Sequence, residues 1–440
     1  MKNILQLITA LFIAITVFGS TAFSARDLFV GPLGSDRNDG SSRTEAWGSL
    51  SHAFGNLRPG DTLTLLPGDY VVRDSPGHDN GRIDVHRTNG GTVRGNSTSW
   101  TVIRAEQKDT VNITGNIIFE GAYIRFEKLN IVGDAQNDFP GIFGLNSDHI
   151  DVYDCEVSHC GGGGINFNHS DSLRISGNST HDNGARNRDQ HSGISVYQPI
   201  RVADAENRYW SIRITNNYSY NNRNEVEGDY GITDGNGIIL DDTMYTQSTW
   251  LSDANRVLIG NARRYPGQTL IEGNMCNYNG GSGVQVFYSA KATIKNNTCF
   301  GNRQYAFNRD GTYSNHGQIA ITNSDANHIL NNVLVSDWVG VASGSGGAPF
   351  AASEFGNGIN LWQTNLLHTK IANSPLTNSE NIEADSVIAD PQFADEASYD
   401  YRSVAGRNMG SRWNGHVYFD IRNVMVGPGQ RVDLGCIQNP

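Results

Sequence analysis

The sequence predicts an all-β chain, a right-handed parallel β-helix, and three observations carry that prediction. First, a short strand ending in Asn is written repeatedly: Arg174-Ile175-Ser176-Gly177-Asn178, Arg213-Ile214-Thr215-Asn216-Asn217, Leu270-Ile271-Glu272-Gly273-Asn274, Thr293-Ile294-Lys295-Asn296-Asn297 and His328-Ile329-Leu330-Asn331-Asn332. The step from Asn274 to Asn297 is 23 residues, and Asp151-Val152-Tyr153-Asp154-Cys155 stands 23 residues before Asn178 with Cys in place of Asn. Second, each copy follows another apolar strand: Gly164-Ile165-Asn166-Phe167, Gly193-Ile194-Ser195-Val196, Gly237-Ile238-Ile239-Leu240, Gly283-Val284-Gln285-Val286 and Gln318-Ile319-Ala320-Ile321. Third, 50 Gly in 440 residues, with 18% charged residues and no long helical periodicity after the first 24, suit many short strands joined by tight turns. Units of this length cannot bury an apolar face alone, so they stack. An Asn recurring at one bend can bond the coil above, the coil below and the local backbone, which makes a structural ladder.

Taken in order, residues 1–24 read as a secretory signal. Lys2 supplies the charge, Ile4 to Phe18 the apolar run, and Ser20-Thr21-Ala22 or Ala22-Phe23-Ser24 the small cleavage residues. Export to the periplasm or the medium is expected, with no later segment apolar enough for a membrane span. The remainder, 25–440, reads as a single β-helix domain, its coils running from roughly Asp61 to Lys370. An N-terminal cap is expected over about 27–70, with one amphipathic helix at Ser49 to Leu57, and a C-terminal cap over about 371–440. Terminal coils need such covers because their core face and strand edges are otherwise bare. The spacings Gly193 to Gly237 (44) and Gly237 to Gly283 (46) each exceed one coil. The insertions fall at about Asn222–Thr233 and Thr243–Tyr265, flank the same coil, and would wall a groove. The five Cys are an odd number, and Cys276 and Cys299, each two residues past a ladder Asn, are expected to stack as small buried side chains and not to bridge.

This layout resembles the extracellular β-helix proteins of the pectate-lyase-like superfamily, with family 9 polysaccharide lyases nearest. The shared features are Gly34-Ser35-Asp36, Asn38-Asp39-Gly40, and Gly60-Asp61-Thr62 followed by Pro67-Gly68-Asp69-Tyr70. Asp390-Pro391-Gln392-Phe393, Asp400-Tyr401-Arg402 and Val432-Asp433-Leu434-Gly435 then follow near the end. The resemblance spans nearly the whole mature chain. It implies the fold, and as an expectation a polysaccharide lyase.

A net charge of −12 makes nucleic acid and anionic membranes poor partners. An acidic polysaccharide would also be repelled unless a bound cation reverses the local field. Aligning the first strands by their Gly, with Gln318 as the anchor of the last, gives Asn168, Tyr197, Asp241, Phe287 and Thr322 at one position, and His169, Gln198, Asp242, Tyr288 and Asn323 at the next. Asp234 and Asn236 lie just upstream of Asp241 and Asp242. Carboxylates this close repel, and calcium, with six to eight oxygen ligands, is the counter-ion expected outside the cell. The expected ligands are Asp234, Asn236, Asp241 and Asp242, and the resemblance implies the same, since family 9 lyases hold calcium on an Asp cluster of a central coil. Those enzymes use a Lys base on a nearby coil; here Lys291 lies three residues past Tyr288. The expected catalytic residues are therefore Lys291 as base, with His191 (or His169) as other candidates for it, and Tyr197 or Tyr288 as proton donor. Arg188, Arg303, Gln285 and Asn168 are the candidates for binding substrate.

The leading expectation is a secreted, monomeric lyase of a uronate-containing polysaccharide (pectate- or alginate-like), working by calcium-assisted β-elimination. An inverting glycoside hydrolase using Asp234 with Asp241 or Asp242 is the runner-up. A non-catalytic glycan-binding protein and a uronate epimerase are the other readings.

Overall fold

The computed structural model describes residues 24–72, 82–84, 93–94, 96–133, 137–200, 209–247, 264–305, 307–308, 310, 316–337, 350–356, 358–371, 375–395, 400–403, 418–419 and 425–426. The export signal expected at 1–24 lies outside these residues but for Ser24, as do Cys436 and most of the second insertion.

Among the described residues the chain winds into three long sheets of twelve, eleven and nine strands, and every neighbouring pair within them is parallel. Successive strands of one sheet come from successive coils, so the fold is a right-handed parallel β-helix, as the repeat predicts. Five strands of the nine-stranded sheet position the candidate site: β1 (Ile165–Asn168), β2 (Ile194–Tyr197), β3 (Ile238–Asp241), β4 (Val284–Phe287) and β5 (Gly317–Thr322). Their first three residues are all buried in β1 to β4, and every residue of β5 is buried. Ile194, Val196, Ile238, Leu240, Val284 and Val286 point inward and are fully buried. They belong to one core cluster that runs from Leu28 to Ile382. Burying each such side chain stabilises the fold by about 1.5–3 kcal/mol.

The Asn ladder forms as predicted. Asn178, Asn217, Asn274, Asn297, Asn332 and Asn365 each accept, through Oδ1, the backbone N–H of the preceding rung at 2.9–3.0 Å. Each amide also donates to a strand carbonyl, as Asn274 does to Ile214 at 2.9 Å. A second ladder, five residues further on, runs through Asn183, Asn222, Asn279 and Asn302 and ends on Gln318. Cys276 and Cys299 are register partners on adjacent coils, and both are fully buried.

At the start of the chain, α1 (Leu50–Asn56) is capped by Ser49, which accepts from the His52 N–H at 3.2 Å, and it buries Leu50, Ala53 and Phe54. Asp27–Val30 pairs with Thr62–Leu65, and Val387–Ile388 pairs with Leu366–Thr369. The coils thus begin before Asp61 and continue past Lys370, further than the repeat alone indicates. No helix among the described residues is long and apolar enough to cross a membrane.

Candidate functional site

Register pairing places Asn168, Tyr197, Asp241, Phe287 and Thr322 in one row across β1 to β5, as aligned from the sequence. Strands of one sheet lie about 4.8 Å apart and register partners share a face. Asp241 therefore stands between the Tyr197 and Phe287 rings on the outer face of the sheet. The next residue in each coil takes a left-handed backbone: His169 (φ 53°), Gln198 (43°), Asp242 (49°), Tyr288 (42°) and Asn323 (48°). That repeated corner turns the chain from the nine-stranded sheet toward the twelve-stranded one.

The corner separates the two adjacent aspartates. Asp242 is fully buried, and its carboxylate is consumed by four donors. Oδ1 accepts from the Thr246 N–H at 2.7 Å and the Thr246 hydroxyl at 2.8 Å; Oδ2 accepts from Gln198 Nε2 at 2.6 Å and the Gln247 N–H at 2.8 Å. Asp242 pins its own turn to the neighbouring coil. Asp241 is different. Its Oδ1 accepts only from Gln247 Nε2, at 3.2 Å, among the described residues. Burial, then the charges of Asp234 and Asp242, hold its carboxyl well above the usual carboxylate range.

Asp234 sits seven residues upstream of Asp241, before the first residue of β3. Burial pushes its carboxyl up to about 6, against the opposing effects of a hydrogen bond from Asn236 Nδ2 (3.2 Å) and the Arg303 charge. Asn236 itself is fully buried and engaged: its Oδ1 accepts the Ser282 N–H at 2.7 Å, and its Nδ2 reaches Ser192 Oγ at 3.1 Å. Of the four expected calcium ligands, Asp242 and Asn236 are thus spent on the scaffold. Among the described residues no three His, Cys, Asp or Glu side chains gather as a metal cage. Asp234 and Asp241 alone fall well short of the six to eight oxygens calcium takes. This donor set does not fit the ion.

The other candidates separate by location. Tyr197 is partly exposed, and burial, then the Asp241 and Asp242 charges, raise its phenol pKa, so the ring keeps its proton. His169 lies 6.1 Å from it between ring centroids. His169 Nε2 meets Gln198 Oε1 at 3.3 Å, and since Gln198 Nε2 faces the Asp242 carboxylate, the imidazole Nε2 is the one that donates. Burial lowers the His169 pKa. Gln285 is buried beside Ile239 of β3, with an amide oxygen that has no hydrogen-bond partner. Tyr288 packs edge-on against Phe287 at 4.7 Å. Arg303 is fully buried, its charge felt by Asp234. His191 lies three residues before β2, and burial pushes its imidazole down to about 4, against the Asp189 and Asp138 charges. Arg188 is exposed on a loop. Lys291 does not join the row. It lies beyond the corner, where its Nζ donates to the Pro266 carbonyl at 3.4 Å and the chain enters a strand of the twelve-stranded sheet.

His316 was not singled out from the sequence. It precedes β5, and burial, then the Arg303 charge, push its imidazole down to about 3. The first insertion folds over this end of the site: Gly231–Ile232 pairs antiparallel with Phe307–Asn308, and Gln190 Nε2 donates to the Val226 carbonyl at 2.8 Å.

No family model matches the chain, and no curated protein does. Among solved structures, pectate lyase Pel9A matches with TM-score 0.53 at 13% identity, covering 95% of this chain and 98% of that one. A glycoside hydrolase matches with TM-score 0.51 at 10% identity, covering 83% and 99%. A rhamnogalacturonan lyase matches at 0.47 and 12%, covering 84% and 91%. At these identities the likeness is one of fold.

Proposed function

We propose that this chain is an exported polysaccharide-cleaving enzyme, a glycoside hydrolase whose acid and base are Asp241 and Asp234. The observation that carries the reading is this pair of carboxyls on one coil, both raised in pKa, beside two aromatic rings on the outer face of the sheet.

Two nearby carboxylates cannot both ionise cheaply, so the pair holds one proton over a range of pH in which free aspartates hold none. The surroundings divide the roles. Asp234 has the Arg303 charge and the Asn236 N–H on its side, both of which favour the ionised form. Asp241 faces the negative charges of Asp234 and Asp242, which favour the protonated form. Asp241 is then the general acid that protonates the leaving glycosidic oxygen. Asp234 is the carboxylate that attacks the anomeric carbon or activates a water against it. Tyr197 and Phe287 supply flat walls for sugar rings either side of the cleaved bond, and Gln285 offers an amide oxygen to a sugar hydroxyl.

The test is a panel of acidic and neutral polysaccharides, read for reducing ends and for near-ultraviolet absorbance of an unsaturated uronate. Reducing ends without that absorbance, abolished in Asp241→Asn and Asp234→Asn, are expected. NMR of the first product anomer then assigns inversion or retention.

Elimination on an acidic polysaccharide is the second reading, favoured by the juxtaposition of Tyr197, which keeps its proton, with His169, whose lowered pKa leaves it neutral. In it His169 takes the proton at C5 and Tyr197 protonates the leaving oxygen. Near-ultraviolet absorbance that survives chelation and is lost in Tyr197→Phe would establish it over hydrolysis.

A further inference from the structure

A second constellation stands on the twelve-stranded sheet, away from Asp241. Strands Gly121–Glu127, Asp148–Tyr153, Asp171–Ser176 and Ile212–Thr215 run side by side there, and their register aligns Arg125, Asp151, Arg174 and Arg213 in one row. Arg125 holds Asp151 with two N–H donors to Oδ2, at 3.1 and 2.9 Å, and its guanidinium lies 5.4 Å from the centroid of the Trp100 ring. Arg174 and Arg213 then stand on adjacent strands, one strand spacing apart, as like charges. Glu272, the carboxylate whose charge acts on Arg213, is already bound by Lys295 at 3.2 Å.

A shallow cleft open to solvent lies over this row, lined by Trp100, Trp210, His149, Asp151, Arg174 and Arg213. Its floor carries buried polar atoms without partners. His149 is 3% exposed and stacks on Tyr123 at 4.2 Å. Its Nδ1 is 2.8 Å from the Asp148 carboxylate, which can only accept, so Nδ1 donates and Nε2 is left as an acceptor with no partner. Asp151 is 6% exposed; Arg125 takes its Oδ2, while Oδ1 has no partner. Arg213 Nε is likewise buried and unpartnered. A buried polar atom left unpaired destabilises the fold, because it has lost its water and gained no partner. A ligand that satisfies several at once recovers that cost.

We propose that this cleft is a binding site for an acidic sugar residue. The sugar carboxylate lies against the Arg174 and Arg213 guanidiniums, whose planar donor sets match a carboxylate. Hydroxyls donate to Asp151 Oδ1 and His149 Nε2, and the ring's apolar edge meets the indoles of Trp100 and Trp210. The site is independent of the reaction at Asp241. It gives an acidic protein a local patch of positive charge for an anionic glycan.

The experiment is titration of the full chain with sodium glucuronate, followed by tryptophan fluorescence and by calorimetry, with glucose as the neutral control. Saturable binding of glucuronate and none of glucose is expected. Arg213→Gln and Arg174→Gln should each weaken it at least tenfold, and Asp241→Asn should leave it unchanged. Trp210→Ala provides a variant that leaves the ladder and the core intact if either Arg variant fails to fold; it should weaken binding too. The inference is overturned if glucose binds as well as glucuronate, if glucuronate does not saturate, if the folded Arg and Trp variants bind as the parent does, or if Asp241→Asn abolishes binding.

Discussion

Asp241 and Asp242 are neighbours in sequence with opposite duties, and replacing each by Asn separates them. In Asp242→Asn one carboxylate oxygen becomes an NH₂ group. Each oxygen serves two donors, Thr246 N–H and hydroxyl on one, Gln198 Nε2 and Gln247 N–H on the other. Whichever way the amide turns, two donors face a donor. Hydrogen bonds to a charged acceptor contribute about 1.5–3 kcal/mol each, so two lost bonds cost about 3–6 kcal/mol. Thr246 is exposed and water recovers part of this, which favours the lower end, about 3 kcal/mol. With a urea m-value near 3 kcal/mol/M, that is a drop of about 1 M in the unfolding midpoint. Asp241→Asn loses one 3.2 Å contact and relieves a carboxylate that burial disfavours, so its midpoint should match or exceed the parent's, while activity disappears. Circular dichroism in urea at neutral pH, with the reducing-end assay on the same preparations, measures both. An Asp242→Asn protein as stable as the parent yet inactive would refute the scaffold role. It would return Asp242 to the functional site and reopen the case for a bound cation.

Three further outcomes are expected. Asn274→Ala leaves the Asn217 N–H and the Ile214 carbonyl without partners in the core, so unfolding free energy should fall by about 2–6 kcal/mol in a denaturant titration. Asp234 has a folded-state pKa of about 6, above the unfolded value near 4, so the folded chain binds more protons between those pH values and its stability falls as pH rises through them. Asp234→Asn should remove that loss, gaining up to roughly 3 kcal/mol at pH 7 and nothing below pH 4, and activity of the parent should fall as pH drops below about 6. Burial pushes the Cys155 and Cys160 thiols up to about 12, so iodoacetamide at pH 8 should leave both unlabelled in the native protein and label them in urea, as read by mass spectrometry.

The repeat itself determined the fold and the first ladder. Strands of period two, a glycine before most first strands, and an Asn at a constant offset admit one arrangement in which every coil buries its apolar face on the next. The same periodicity determined the row Asn168–Tyr197–Asp241–Phe287–Thr322, because register in a stacked coil follows position in the repeat. The second ladder was legible by the same rule, since Asn183, Asn222, Asn279 and Asn302 each stand five residues after a ladder Asn. Only the tertiary structure decided which polar side chains serve the scaffold and which are left for chemistry. Asp242 and Asn236 look like ligands in the sequence, yet the left-handed corner and the neighbouring Ser192, Gln198 and Ser282 consume them. Lys291 is three residues from the Asp241 row in sequence but lies beyond the corner on another sheet. Hydrogen-bond satisfaction and the direction of a bend depend on what the adjacent coil presents, and that is a property of the stacked fold and not of the local sequence.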